Sequence, residues 1–257
     1  MNQLYRKISL FMKIFIFLLY YLCGRGSKLD LSSLKYQLRI VFPNSLFIIV
    51  ITSFFISLVF SLQILKEFLY LNAVQLIGSI LSISFVRELS PVLTSIVIVG
   101  RVCSLFTAQL STMVITEQVD ALLVLGINPV NYLIVPRVLS MIISLPLLNI
   151  ISILTSLVSG SFVSFLLYKI QPTIFFESIF YSYFFSDLLK SLFKTFVFAL
   201  FISIISCSWG ITSIRGSEGV GISTTSSVVM CLISVFVLNF ILSYLLFNNL
   251  ISSFQLY

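Results

Sequence analysis

The stretch SLFIIVITSFFISLVFSLQIL, residues 45–65, contains no charged side chain, and Gln63 is its only large polar group. Wound as an α-helix, it would be about 31 Å long, the thickness of the hydrocarbon core of a bilayer. A backbone in hydrocarbon has no water to bond to and must satisfy its own N–H and C=O groups, which a helix does within one segment. Residues 45–65 therefore read as a membrane-spanning helix.

Working outward, the rest of the chain has the same character. Of 257 residues, 59% are hydrophobic and only 9% charged, against roughly 25% charged in a soluble domain, and the mean hydropathy is +1.16. Further runs near the ~20 residues that a crossing needs fall at 92–110, 138–168, 192–209 and 228–247. The expectation is an all-α polytopic membrane protein with five spans, organised as a single domain over 1–257 with an interfacial segment at 1–44 and a transmembrane core at 45–247. The run 71–86 is also apolar enough to span, which leaves six crossings open. A single helix over 73–110 would be ~57 Å long, so a break is expected near Pro91, which has no N–H for the helix ladder.

Upstream of the first span, Asp30 is placed to cap a helix in which Leu31, Leu34, Leu38 and Val41 recur on one side and Lys35, Gln37 and Arg39 on the other. Pro43 is expected to end this helix, which would lie on the membrane surface. Residues 8–22 follow a basic start, but Lys13 interrupts them and no small-x-small cleavage site follows, so they read as a retained interfacial helix. The net charge is +7, and seven of the fifteen basic residues precede position 45. That asymmetry fits the positive-inside rule and a membrane surface better than nucleic acid, and no nucleic-acid partner is expected.

Several chemistries find no support. Cys23, Cys103, Cys207 and Cys231 are scattered singly and histidine is absent, which removes the usual metal-ligand spacings and the commonest general base. No metal or other cofactor is expected. GSEGVG, residues 216–221, lacks the Lys and the spacing of a phosphate loop and reads as a flexible turn between spans. The serines include no GxSxG elbow.

The least membrane-like stretch inside the core is TEQVDALLVLGINP, residues 116–129. A short helix begins near Thr116, with Glu117, Gln118 and Asp120 in its first turn and Val119, Leu122 and Leu123 on one face; Gly126, Asn128 and Pro129 stop it. Spacing alone allows both a partner-docking helix and a capped connecting loop.

The run RELSPVLTSIVIVGRVCSLFTAQLSTMVITEQVDALLVLGINPVNYLIVPRVLSMIISLPLL, residues 87–148, resembles the core of the MlaE family of permeases, and GVGISTTSSVV, residues 219–229, resembles that family's late motif. The resemblance covers roughly 45–247. It implies an ABC-type transporter that moves phospholipids between membranes, built on a homodimer of this chain with a separate ATPase and an MCE-domain lipid-binding subunit. Glu117, Gln118, Asp120, Ala121 and Leu122 match the family's coupling helix, which sits in a cleft of the ATPase. Arg87 and Glu88 resemble its charged pair near the lipid pathway, with a structural ion pair as the alternative, and Lys194 falls where the family often has a basic residue facing the same cavity. Lys190, one turn earlier, reads equally as an interfacial anchor. Arg101, in mid-span, must find a carboxylate or a backbone carbonyl. Many relatives have Glu where this chain has Gln109, and Gly where it has Ser90 and Ser111.

Three functions compete at this point. A lipid permease needs no nucleotide motif of its own. A small-solute or ion channel would line its pore with Arg87, Glu88 and Arg101, and a lipid-modifying enzyme would need an acid pair, a histidine or a metal cluster. The family includes plastid-encoded members of algae, and the Phe-, Ile-, Ser-, Asn- and Lys-rich composition has the bias of an AT-rich genome. The expected membrane is the plastid inner envelope, with a bacterial inner membrane as the alternative.

Overall fold

A computed structural model describes residues 31–71, 73–181, 184–213 and 216–247. Residues 1–30, with the expected interfacial helix at 8–22 and the Asp30 cap, and the last ten residues lie outside the described part. Every long element is helical, and five stretches are long and apolar enough to cross a membrane: Leu31–Tyr70, Ile77–Ile115, Val130–Tyr168, Phe184–Ile211 and Gly216–Phe247.

The first is one unbroken helix, α1 (Leu31–Tyr70), with Pro43 inside it. The expected surface helix and the first span are thus a single element. Proline removes one ladder bond, but apolar sequence follows at once, and stopping there would strand a full turn of carbonyls. The Asn44 side chain donates to the Ile40 carbonyl at 3.2 Å. Of the expected inner face, Leu34 and Leu38 are half-buried and Val41 is buried, whereas Leu31 is exposed; Lys35 and Arg39 face outward and Gln37 is half-buried.

The second span also runs through its proline. It comprises α2 (Ile77–Ser84), a π-turn at Phe85–Leu89, α3 (Ser90–Ile98), a second π-turn at Val99–Cys103 and α4 (Ser104–Ile115). The expected break at Pro91 is replaced by the first π-turn, in which the Ser90 N–H reaches back to the Phe85 carbonyl. Widening the ladder by one residue absorbs the missing donor without ending the helix. Residues 77–86 therefore belong to this span, and the apolar run 71–86 does not supply a sixth crossing among the described residues.

After the short helix α5 (Gln118–Val124), the third span opens with a π-turn at Val130–Ile134 and continues as α6 (Val135–Tyr168). Then come α7 (Pro172–Tyr181), α8 (Phe184–Ile211) and α9 (Gly216–Phe247). The glycine-rich segment expected as a flexible turn is the first turn of α9. Gly216 enters it at φ +61°, in the left-handed region that glycine reaches without a Cβ penalty.

The described residues fall into two compact units. The first is drawn from 31–45, Ile96–Leu145 and Val197–Phe236. Its apolar core includes Leu110, Ile134, Val135, Val138, Ile204 and Cys207. A Cβ on Gly210 would lie 2.7 Å from Leu110 Cβ, so α4 and α8 approach backbone to side chain. The second unit, from Leu46–Ser95, Pro146–Phe196 and 237–247, packs Leu81, Phe85, Ile153, Leu157 and Phe175. There Ser57 donates to the Ser156 carbonyl at 2.7 Å, Ser159 donates to Ser57 at 2.6 Å, and Ser53 meets Thr155 at 2.6 Å. Lipid gives apolar side chains little reason to leave it, so small residues and interhelical hydroxyl bonds carry much of the association.

Candidate functional site

Pro91 has no N–H to offer the carbonyl four residues back, and that carbonyl, on Arg87, accepts instead from the ammonium of Lys194 at 3.0 Å. Lys194 lies in α8 with its side chain fully buried. Its other protons go to Glu88 Oε2 at 3.0 Å and Ser243 Oγ at 2.8 Å. All three donors of the ammonium are therefore used. Glu88 in turn accepts from Ser243 at 2.7 Å and from Asn239 at 3.1 Å.

Arg87 points along the other side of the same turn and donates from Nε to Asp187 Oδ2 at 2.7 Å. Asp187 also lies 4.0 Å from Lys190 Nζ, and both cations sit over the Phe247 ring, at 4.9 and 5.3 Å from its centroid. The structure thus brings Arg87, Glu88 and Lys194 into one cluster inside the second unit. Lys194 and Asp187 are sealed, whereas the side chains of Arg87 and Glu88 are 28% and 43% exposed. The cluster sums three cations and two carboxylates to a net charge of +1.

Sequence reasoning missed Asp187, Asn239 and Ser243. A signal for the first was present, because Asp187, Lys190 and Lys194 are spaced i, i+3, i+7 and share one face of α8.

In the first unit, α5 is closed at both ends by backbone geometry. Glu117 precedes it in the left-handed region, at φ 59°. At its end the Ile127 N–H bonds the Leu122 carbonyl at 2.9 Å and the Gly126 N–H the Leu123 carbonyl at 3.0 Å, with Gly126 at φ +74°. These paired bonds make a Schellman ending. Asn128 Oδ1 then accepts from the Val130 N–H at 3.0 Å.

No residue of α5 is buried. Glu117, Gln118, Asp120 and Ala121 are exposed, Val119 and Leu122 half-buried. Leu123, expected on one face with Val119 and Leu122, is exposed with Val124, Leu125 and Ile127. Gln118, Leu122, Met113, Tyr132 and Leu133 line a groove of about 290 Å³.

Arg101 and Gln109 are not part of either arrangement. Arg101, in the second π-turn, donates to the Asn44 carbonyl. Gln109 accepts from Arg137 at 3.4 Å. Arg137, which the sequence reading passed over, is 2% exposed, lies 5.8 Å from the Phe106 ring centroid, and has no hydrogen-bond partner at Nε or Nη1. Among the described residues no group of three His, Cys, Asp or Glu side chains is placed to hold a metal ion.

The family model described as "Permease MlaE" matches residues 34–245. The chain is 48% identical over 226 residues to the "Probable ABC transporter permease protein ycf63" of Pyropia yezoensis, covering 88% of this chain and 86% of that protein. It is 45% identical over 213 residues to a "Probable ABC transporter permease protein" of Synechocystis, covering 83% and 81%. To "Protein TRIGALACTOSYLDIACYLGLYCEROL 1, chloroplastic" of Arabidopsis thaliana it is 42% identical over 213 residues, covering 83% of this chain and 61% of that one.

Proposed function

The chain belongs to the MlaE permease family, and from that premise we propose that it moves phospholipid between membranes as the permease of an ABC-type transporter, working as a homodimer with a separate ATPase and an MCE-domain subunit. The observation that carries this reading is α5. It is a seven-residue helix, fixed at its end by a Schellman motif and joined directly to two spans. Its exposed acids and apolar tip, Leu123 to Leu125, suit insertion into a cleft of another protein. A short rigid strut of this kind passes a closing motion of the ATPase to the spans without bending.

The charged cluster supports the lipid side of the proposal. Arg87, Glu88 and Lys190 are its open members, the local charge is +1, and the surrounding core is apolar, a combination that suits a phosphate headgroup with acyl chains. Lys194 and Asp187 hold Glu88 and Arg87 in place. Relatives named for a chloroplast protein and for cyanobacterial and algal permeases support the plastid inner envelope as the membrane.

The test is a mild-detergent purification of the chain with mass spectrometry of bound proteins and extractable lipids, together with a Glu117→Lys, Asp120→Lys double variant. An ATPase, an MCE-domain protein and phospholipid are expected to co-purify with the wild type. The double variant should insert normally and leave ATP hydrolysis without lipid transfer. Wild-type coupling in that variant would sink the assignment of α5.

A further inference from the structure

Two thiols meet in the interior of the first unit. Cys103 closes the second π-turn and Cys231 lies in α9. Neither exposes any surface, and their sulfurs are 3.3 Å apart. A disulfide bond is about 2.05 Å long, so the two must approach by roughly 1.2 Å, less than a sulfur moves between two χ1 rotamers.

The surroundings of the pair differ from those of an inert packing cysteine. Ser227 Oγ is 3.3 Å from the Cys103 sulfur. The Thr107 hydroxyl lies within hydrogen-bond reach of Ser227 Oγ and of the Cys103 and Ser206 carbonyls, at 2.9, 2.9 and 3.1 Å. A thiolate forming on Cys103 would have the Ser227 hydroxyl as a neighbour able to turn its proton to the sulfur, and the thiolate is the reactive form. Cys207, by contrast, packs among Leu110, Ile134, Val138 and Ile204.

We propose that Cys103 and Cys231 are a thiol pair that a small neutral peroxide closes to a disulfide, stapling the π-turn of the second span to α9. In the first step the Cys103 sulfur attacks one oxygen of hydrogen peroxide. The O–O bond breaks, sulfenic acid forms, and the departing hydroxide leaves as water with the thiol proton. In the second step the Cys231 sulfur attacks the sulfenic sulfur, the S–S bond forms, the S–O bond breaks, and a second water carries away the Cys231 proton. Two thiols are oxidised by two electrons and one peroxide is reduced to two waters. In the unfolded chain a dithiol reverses the change by exchange, ending as its own cyclic disulfide. Complete burial excludes bulky or charged oxidants and admits peroxide, which is neutral and near the size of water. The couple does not depend on what the permease carries.

The experiment exposes the full chain in lipid vesicles to hydrogen peroxide, then unfolds it in N-ethylmaleimide to block the remaining thiols, and maps peptides by mass spectrometry before and after dithiothreitol. The expected product is a linked peptide pair containing Cys103 and Cys231, with two fewer maleimide adducts per chain, both changes reversed by the reductant. Cys103→Ser and Cys231→Ser should each abolish the linked pair, while Cys207→Ser and Cys23→Ser leave it. Persistent alkylation of both thiols, sulfinic or sulfonic acid on one without linkage, or linkage of either to another chain would overturn the proposal. The wild-type readout decides by itself if a variant fails to fold.

Discussion

Lys194 has three ammonium protons and three acceptors, and that completeness is what makes its burial tolerable. Removing the acceptor side is therefore worse than removing the cation. In Glu88→Ala the ammonium stays in a fully buried position with only the Arg87 carbonyl and Ser243, and the loss should be about 3 kcal/mol. In Lys194→Met the half-exposed Glu88 keeps Ser243 and Asn239, and the loss should be roughly 1 kcal/mol. The double variant should lose less than the sum of the two. Unfolding midpoints in detergent check all three, and equal losses in the single variants would contradict the saturated-ammonium account. A second residue-scale expectation concerns Arg137, whose Nε and Nη1 lack partners. Gln109→Glu gives it a carboxylate in place of a 3.4 Å amide contact and should stabilise the protein by about 1–3 kcal/mol, whereas Gln109→Leu should destabilise it. At this scale the sequence singled out Arg87, Glu88, Arg101 and Lys194, because an ionised group in an apolar run stands out, but it passed over the buried Arg137 and Asp187. It did not pair them: Asp187 and Arg87 are a hundred residues apart, and only the crossing of the second span with α8 brings them together.

At the scale of the element, legibility fails where the ladder is irregular. Pro43 and Pro91 read as helix ends because proline removes a donor, yet both lie within continuous helical stretches. Hydrophobic runs report that a segment is buried or in lipid, not whether its bonds step four residues or five. The π-turns at Phe85–Leu89 and Val99–Cys103 were accordingly invisible. So was α7, whose ten residues are too few to span and which owes its place to packing. A Cβ on Gly78 would fall on the Phe175 carbonyl and the Ser178 hydroxyl, so only glycine lets α2 lie against α7 this closely. Gly160 faces Phe175 too, but a Cβ there would have its nearest neighbours at 3.6 to 4.0 Å, ordinary contact. Gly78→Ala should therefore cost about 1–3 kcal/mol by overpacking, while Gly160→Ala should be near neutral. Thermal unfolding of the two variants separates a specific helix contact from a general dislike of added methyl groups.

At the scale of the whole molecule, the count of crossings was readable because bilayer thickness fixes how much apolar sequence a span needs, and only the 71–86 run made it ambiguous. The continuity of Ile77–Ile115 resolves that ambiguity to five among the described residues, and an odd number has a consequence for sidedness. If all five cross, the start of α1, α5 and the start of α9 should share one face of the membrane, and α7 and the end of α9 the other. By the positive-inside rule the seven basic residues ahead of position 45 favour the inner side for the first set, where the proposed function places the ATPase. This arrangement can be tested with single cysteines at exposed positions, Gln118→Cys, Glu218→Cys and Glu177→Cys, in a Cys23→Ser background. Cys103, Cys207 and Cys231 are buried and should stay silent. In sealed vesicles of known orientation, a membrane-impermeant maleimide should label positions 118 and 218 from the same face and position 177 only from the opposite one. If position 177 is labelled together with 118, one of the intervening helices does not cross, and α5 loses the sidedness that the proposed coupling role requires.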